Sequence, residues 1–283
     1  MPNKLYNILV PVDFTGKNKW AIVKAIELSN SFNCNIHLVH VLHRNILPLV
    51  PLDVSVVTPY ESFSDRMNSC EKLRALAAEY RLQLCGNGTI EISVLEGPLS
   101  KRLSEYIQLY HIDLAVIGIT RFNFLQRILS SVSISRLARK TNIPVLAVQA
   151  GGLICHFKKI ILPVHNQIPT ERIKLATMMA RTFKSTVYLV SLRNADKTTE
   201  KIMNQALEFV QSISTVPVQG IILEGKNLAK TTLEFAKKIN ADLIMINPLK
   251  EFKLPGLWNK MTNKLLPHSS TIPVLTVEKR SEQ

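Results

Sequence analysis

The chain has 283 residues, 46% of them hydrophobic and 20% charged, ordinary values for a soluble globular protein with room for two domains of about 140 residues. No apolar run reaches the roughly 18 residues of a membrane helix, and the opening MPNKLYNILVPVD lacks the cationic start and apolar core of a secretory leader. A cytoplasmic protein without membrane insertion is therefore expected. Lys and Arg (35) outnumber Asp and Glu (21), giving a formal charge of +14, a field that attracts polyanions. The basic residues are dispersed along helical patterns with no block of five, the signature of a solvated surface, so nucleic acid is not favoured as a partner.

YNILVPV is a short β-branched apolar run, suited to a first strand buried on both faces. Beyond Thr15-Gly16, Ala21, Ala25, Leu28 and Phe32 recur at spacings of four, three and four, which places them on one helical face. NIHLVHVL reads as the second strand. A loop with Pro48, Pro51 and Pro59 leads to a second helix whose stripe is Phe63, Met67, Cys70, Leu73, Ala77 and Tyr80. TIEISVLEG is a third strand, LSKRLSEYIQLY a third helix and DLAVIGI a fourth strand. Residues near 130–141 form a fourth helix and PVLAV a fifth strand. This alternation predicts a parallel sheet covered by helices on both faces.

The pattern then repeats. NILVPVDF at 7 recurs as KIILPVHN at 159, and VLEGPLSKRLSEYIQLYHIDLAVIGI at 94 as ILEGKNLAKTTLEFAKKINADLIMIN at 222. TNIPVLAV at 141 recurs as STIPVLTV at 270, and from Asp113/Asp242 to Pro144/Pro273 the offset is a constant 129. The expected organisation is two tandem α/β domains, residues 1–150 and 157–283, joined near QAGGLICHF. Each would be a doubly wound five-stranded parallel sheet in the order 3-2-1-4-5. Ligands of such sheets sit beyond the carboxyl ends of the strands where the winding reverses. That point lies between strands one and four, so Asp13 and Gly118 are expected to meet there.

The residues ILVPVDF, HVLH, EG, DLAVIG, LQRILSSVS and IPVLAV, in that order and spacing, resemble the universal stress protein family, whose domains have the adenine nucleotide alpha hydrolase-like fold. The likeness covers both halves. It implies a stress-response protein, with ATP and Mg2+, or another adenine nucleotide, as the ligand of the first domain. In nucleotide-binding members a G-x2-G-x9-G-[ST] loop follows strand four, where glycines let the backbone approach the phosphates and helix-start N–H groups point at them. Carried onto this chain, Pro11, Val12 and Asp13 match the strand-one motif, with Asp13 bonding the nucleoside. Val41 matches the base-pocket residue, and Ile117 with Gly118 the start of the loop. Ser130, Ser131, Val132 and Ser133 match its far end, one residue early. Arg121 stands where the second glycine belongs, and either blocks the phosphate path or supplies a cation for bidentate pairing. One of three glycines remains.

The second domain departs further. Asp13 becomes His165, Gly118 becomes Asn247, Arg121 becomes Lys250, and the two serines become Asn259 and Lys260. No cofactor is expected there. The resemblance gives it the role of a structural partner, pairing within the chain through Pro144–Val148 and Pro273–Val277, which would cover both edges. A homodimer and a separate protein partner stay open. A nucleotide-independent module, binding a protein or a polyanion through the basic surface, is the competing reading.

Other chemistry is not indicated. Cys34, Cys70, Cys85 and Cys155 form no C-x-x-C pair and read as buried free thiols. His37, His40 and His43 alternate across a strand, so neighbours point to opposite faces. There is no G-x-S-x-G elbow, H-E-x-x-H helix or G-x-x-x-x-G-K-[ST] loop. A non-enzymatic protein is expected.

Overall fold

The computed structural model describes residues 4–42, 59–119, 137, 140–149, 156–193, 198–225, 227–246 and 272–277. The first half runs β1 (Asn7–Pro11), α1 (Asn18–Phe32), β2 (Asn35–Leu42), α2 (Pro59–Arg81), β3 (Ile90–Glu96), α3 (Leu99–Leu109), β4 (Leu114–Ile119) and β5 (Val145–Gln149). Of the expected helix near 130–141, Leu137, Lys140 and Thr141 are described and are helical. The second half runs β6 (Lys159–Pro163), α4 (Thr170–Phe183), β7 (Thr186–Leu192), α5 (Thr198–Ile213), β8 (Val218–Leu223), α6 (Leu228–Lys238), β9 (Leu243–Ile246) and β10 (Val274–Thr276).

All ten strands lie in one sheet, ordered β3-β2-β1-β4-β5-β10-β9-β6-β7-β8. Each half therefore carries the 3-2-1-4-5 order. Pairing within each half is parallel, whereas β5 and β10 pair antiparallel, Leu146 opposite Leu275 and Ala147 opposite Val274. Thr276 Oγ1 adds a buried hydrogen bond to the Val145 carbonyl, 3.1 Å away.

The inner strands are short and apolar on both sides, as helices covering both faces require, while the outer strands β3 and β8 keep exposed residues. On one face α1, α2, α4 and α5 pack over a core that is continuous between the halves, with Ala21, Ala25, Leu28 and Phe32 of α1 buried as the spacing predicts. On the other face there are two separate clusters, one under α3 and one under α6. Phe32 and Phe183 meet edge to face at 5.7 Å where α1 and α4 touch, and Phe183 meets Phe157 at 5.4 Å. Beside them Lys24 is fully buried, its ammonium 2.6 Å from the Glu27 carboxylate and 4.9 Å from the Phe157 ring centre.

The two halves repeat their fastening points. Asp113 accepts from the backbone N–H of Tyr6 and Asn7 at 2.7 and 3.1 Å, and Asp242 accepts from Lys158 and Lys159 at 2.8 and 2.9 Å. Each carboxylate ties the start of its half's first strand to its fourth. Helices α1 and α4 end alike, with Asn33 and Lys184 in the left-handed region at φ 52 and 53.

Two expectations are corrected. The stripe on α2 is buried only at its far end: Leu73, Ala77 and Tyr80 are inside, while Phe63 is 63% and Met67 44% exposed. A helix of 23 residues is about 34 Å long at 1.5 Å per residue, whereas the strands beneath have five to eight residues, so its first turns overhang the sheet. Of the described cysteines, Cys34 is buried, Cys70 is partly exposed and Cys85 lies in the open turn after α2.

Candidate functional site

The carboxyl ends of β1 and β4 meet where the winding reverses, since β1 pairs with β2 on one side and β4 on the other. Pro11 ends β1. Val12 is buried, and its N–H continues the ladder to the Val39 carbonyl at 2.8 Å. The chain then turns sharply. Phe14 takes the left-handed conformation at φ 56, a strained choice for an aromatic residue and one found most often at functional turns. Its ring packs on His40, centroids 4.5 Å apart, with the Lys72 ammonium 5.8 Å from its centre. His40 is fixed in turn through Nδ1, which donates to the Val12 carbonyl at 2.7 Å.

This turn presents Asp13. Its Oδ1 accepts from the Thr15 N–H at 3.1 Å and the Thr15 hydroxyl at 2.5 Å, and its Oδ2 lies 2.5 Å from the Lys17 ammonium. Burial alone would raise the carboxyl's pKa. The hydrogen bonds from Lys17 and Thr15, with the Lys17 charge, outweigh that and hold it below the ordinary value. Asp13 is thus an anion, 32% exposed, with its paired cation beside it.

Gly118, in β4, packs against the start of α1. A Cβ here would collide with the backbone carbonyl of Lys17, the residue capping α1. Glycine at 118 therefore lets the start of α1 sit against the end of β4, so Lys17 touches Gly118 with its backbone and Asp13 with its ammonium. One residue further on, Asn18 is 5% exposed and its Nδ2 has no acceptor among the described residues. A buried donor left in this way is costly unless something else supplies an oxygen. Val41 and Ile117 belong to the apolar cluster under α3, with Leu95, Leu99 and Ile119. Arg121, Ser130, Ser131, Val132 and Ser133 lie outside the described residues.

Thr15, Lys17, His40 and Phe14 shape the turn around Asp13, and the sequence pattern assigns none of them a ligand role. The signal for the turn was present: Asp-x-Thr is the spacing of a side chain that accepts from its own turn, and Asp13 and Lys17 are four apart at a helix start. In the second half His165 stands at the Asp13 position and Pro169 at the Lys17 position, so that crevice has neither the carboxylate nor its cation. Asn247, Lys250, Asn259 and Lys260 lie outside the described residues. Adjacent histidines of β2 diverge, His37 toward Tyr106 of α3 and His40 toward Phe14. Among the described residues no three His, Cys, Asp or Glu side chains converge on a metal, and no helix is long and apolar enough to cross a membrane.

The 3-2-1-4-5 sheet order of the nucleotide alpha hydrolase-like α/β class occurs here twice in tandem, and in the first half a carboxylate, Asp13, follows the first strand and a glycine, Gly118, lies near the end of the fourth. The model of the universal stress protein family matches residues 5–149, and the chain belongs to that family. A universal stress protein from Archaeoglobus fulgidus superposes with a TM-score of 0.74 at 13% identity, over 99% of both chains. A functionally unknown protein from Pseudomonas aeruginosa gives 0.59 at 18% identity, over 97% of this chain and 93% of its own. A universal stress protein in complex with cAMP matches 44% of this chain and 98% of its own, at 12% identity and a TM-score of 0.36. No curated protein matches the chain.

Proposed function

We propose that this is a non-enzymatic stress-response protein whose first half holds an adenine nucleotide in the crevice between Asp13 and Gly118. Its second half serves as the structural partner. The observation that carries this reading is the ionised Asp13, fixed on a strained turn at the winding reversal and standing clear enough of the core to meet a ligand. The Asn18 amide, which has no acceptor among the described residues, fits a ligand that brings acceptor oxygens. Val41 and Ile117 supply an apolar wall for a base. Asp13 is already engaged by Thr15 and Lys17, so Mg2+ enters only as the counter-ion that ATP carries. Occupancy of the crevice would bias an interaction with a protein partner.

Calorimetric titration of ATP with Mg2+ into the full chain tests this. Saturation at one site per chain, weakened at least tenfold in Asp13→Ala, is expected, since one charge-assisted hydrogen bond is worth about that factor. No heat at millimolar ATP would overturn it and leave a nucleotide-independent module, for which steep weakening of partner binding by salt would indicate a polyanion.

A further inference from the structure

Nothing in a nucleoside-binding carboxylate requires a lysine bound to it, and Lys17 changes what Asp13 can accept. An ionised carboxylate has about four lone-pair positions. Thr15 takes two of them, both on Oδ1, through its N–H and its hydroxyl. Lys17 takes one on Oδ2. One position is left, and it adjoins an ammonium. A ribose diol, which offers two hydroxyl donors, finds an acceptor for one of them and a cation where the other would go.

The backbone around this pair is pinned. Lys17 lies against Gly118, the Asn18 N–H bonds the Thr15 carbonyl at 3.1 Å, and Phe14 is wedged on His40. The ammonium can still move, because it ends a four-carbon stem and the side chain is 22% exposed. An anionic oxygen next to a ribose hydroxyl would satisfy both groups at once, the hydroxyl donating to Asp13 Oδ2 and the ammonium turning onto the anion. Dinucleotide sites use the same chemistry, a carboxylate for a free ribose hydroxyl and a nearby cation for a ribose phosphate.

The geometry points to Lys17 as the specificity-determining residue of this crevice, which selects a nucleotide carrying a phosphate on its 2′ or 3′ ribose oxygen over one phosphorylated only at 5′. This rests on the nucleotide reading of the site given above.

Two isomers of equal size and nearly equal charge separate the alternatives: adenosine 3′-monophosphate and adenosine 5′-monophosphate, titrated into the wild-type chain, Lys17→Met and Lys17→Arg. The wild type should bind the 3′ isomer about tenfold more tightly, the discrimination that one charge-assisted hydrogen bond supplies. Lys17→Met should bring the two isomers to parity, and Lys17→Arg should keep the preference. Carbon-13 NMR titration of Asp13 without ligand gives an independent readout, and its carboxyl should titrate higher in Lys17→Met than in the wild type.

Equal affinities in the wild type, or a preference that survives Lys17→Met, would overturn the assignment while leaving the nucleotide site standing. An unchanged Asp13 titration would overturn the ion pair itself. Absence of binding by either isomer to any of the three proteins would overturn this inference, and if ATP also gives no heat the nucleotide reading falls with it.

Discussion

The two halves agree wherever the fold needs a fastening and differ wherever a ligand would be met. Asp113 and Asp242 make the same pair of backbone bonds. Val12 and Val164 continue the ladder alike, bonding Val39 and Val190 at 2.8 and 2.7 Å. Beyond those valines the likeness stops. The first half turns through Asp13, Thr15 and Lys17, the second through His165, Gln167 and Pro169, and Arg172 there is buried and donates to the Pro163 carbonyl at 3.3 Å. The scaffold evidently survives without the crevice chemistry. Asp13 and Lys17 are therefore not what holds such a domain together, and a functional account of them gains weight.

The largest test of the comparison is at the join. Lys24, fully buried, pairs with the partly buried Glu27 against Phe157 of the other half. Burial raises the Glu27 carboxyl, and the Lys24 charge opposes that. Lys24→Ala should cost about 3–5 kcal/mol in urea unfolding, because it leaves a carboxylate desolvated without its cation. A cost confined to one of two separate transitions would show that the halves unfold independently. Next, Asp242→Ala should cost about 3 kcal/mol by the loss of two charge-assisted bonds, and Asp113→Ala somewhat less because Asp113 is less buried. A neutral result at either aspartate would break the claim of a shared fastening.

The smallest expected effect is on pH dependence. His37 and Tyr188 occupy matching places, each edge to face with an aromatic residue of the covering helix, Tyr106 at 5.8 Å and Phe235 at 6.2 Å. Across the strand they face Glu91 and Gln219 respectively. Burial pushes the His37 pKa below its ordinary value, with Glu91 opposing. The unfolded chain then binds a proton that the folded one refuses. Stability is full above about pH 6.5, the ordinary histidine value, and falls as the pH drops from there toward the folded pKa. His37→Tyr copies the second half and should flatten that part of the profile, as measured by melting temperature from pH 5 to 8. An unchanged profile would assign the acid sensitivity elsewhere.

Much of this fold was legible because strand and helix periods differ. NILVP, NIHLVHVL and LAVIGI are too short and too uniformly apolar for surface helices, and Ala21 to Phe32 trace one helical stripe. The repeat added the division into two tandem halves. What escaped was whatever depends on where elements end in space. The α2 stripe reads as continuous in sequence, yet Phe63 and Met67 overhang shorter strands. At the site, motif matching drew attention to Asp13 and Gly118 but not to Lys17, because an ion pair within one turn leaves no apolar pattern. Gly118 reads as a phosphate-loop glycine, and the structure adds a packing reason for it, the carbonyl of Lys17.

The antiparallel contact of β5 with β10 also sets a timetable for synthesis on the ribosome. Once β5 has emerged, its outer edge has no neighbour until residues 274–276 follow, roughly 125 residues later, or about 6–25 s at ordinary elongation rates. During that interval the nascent chain shows a bare strand of Val145, Leu146, Ala147 and Val148. Such an edge is a template for pairing with another chain. The nascent protein is thus most exposed to misassembly in the time between its two halves.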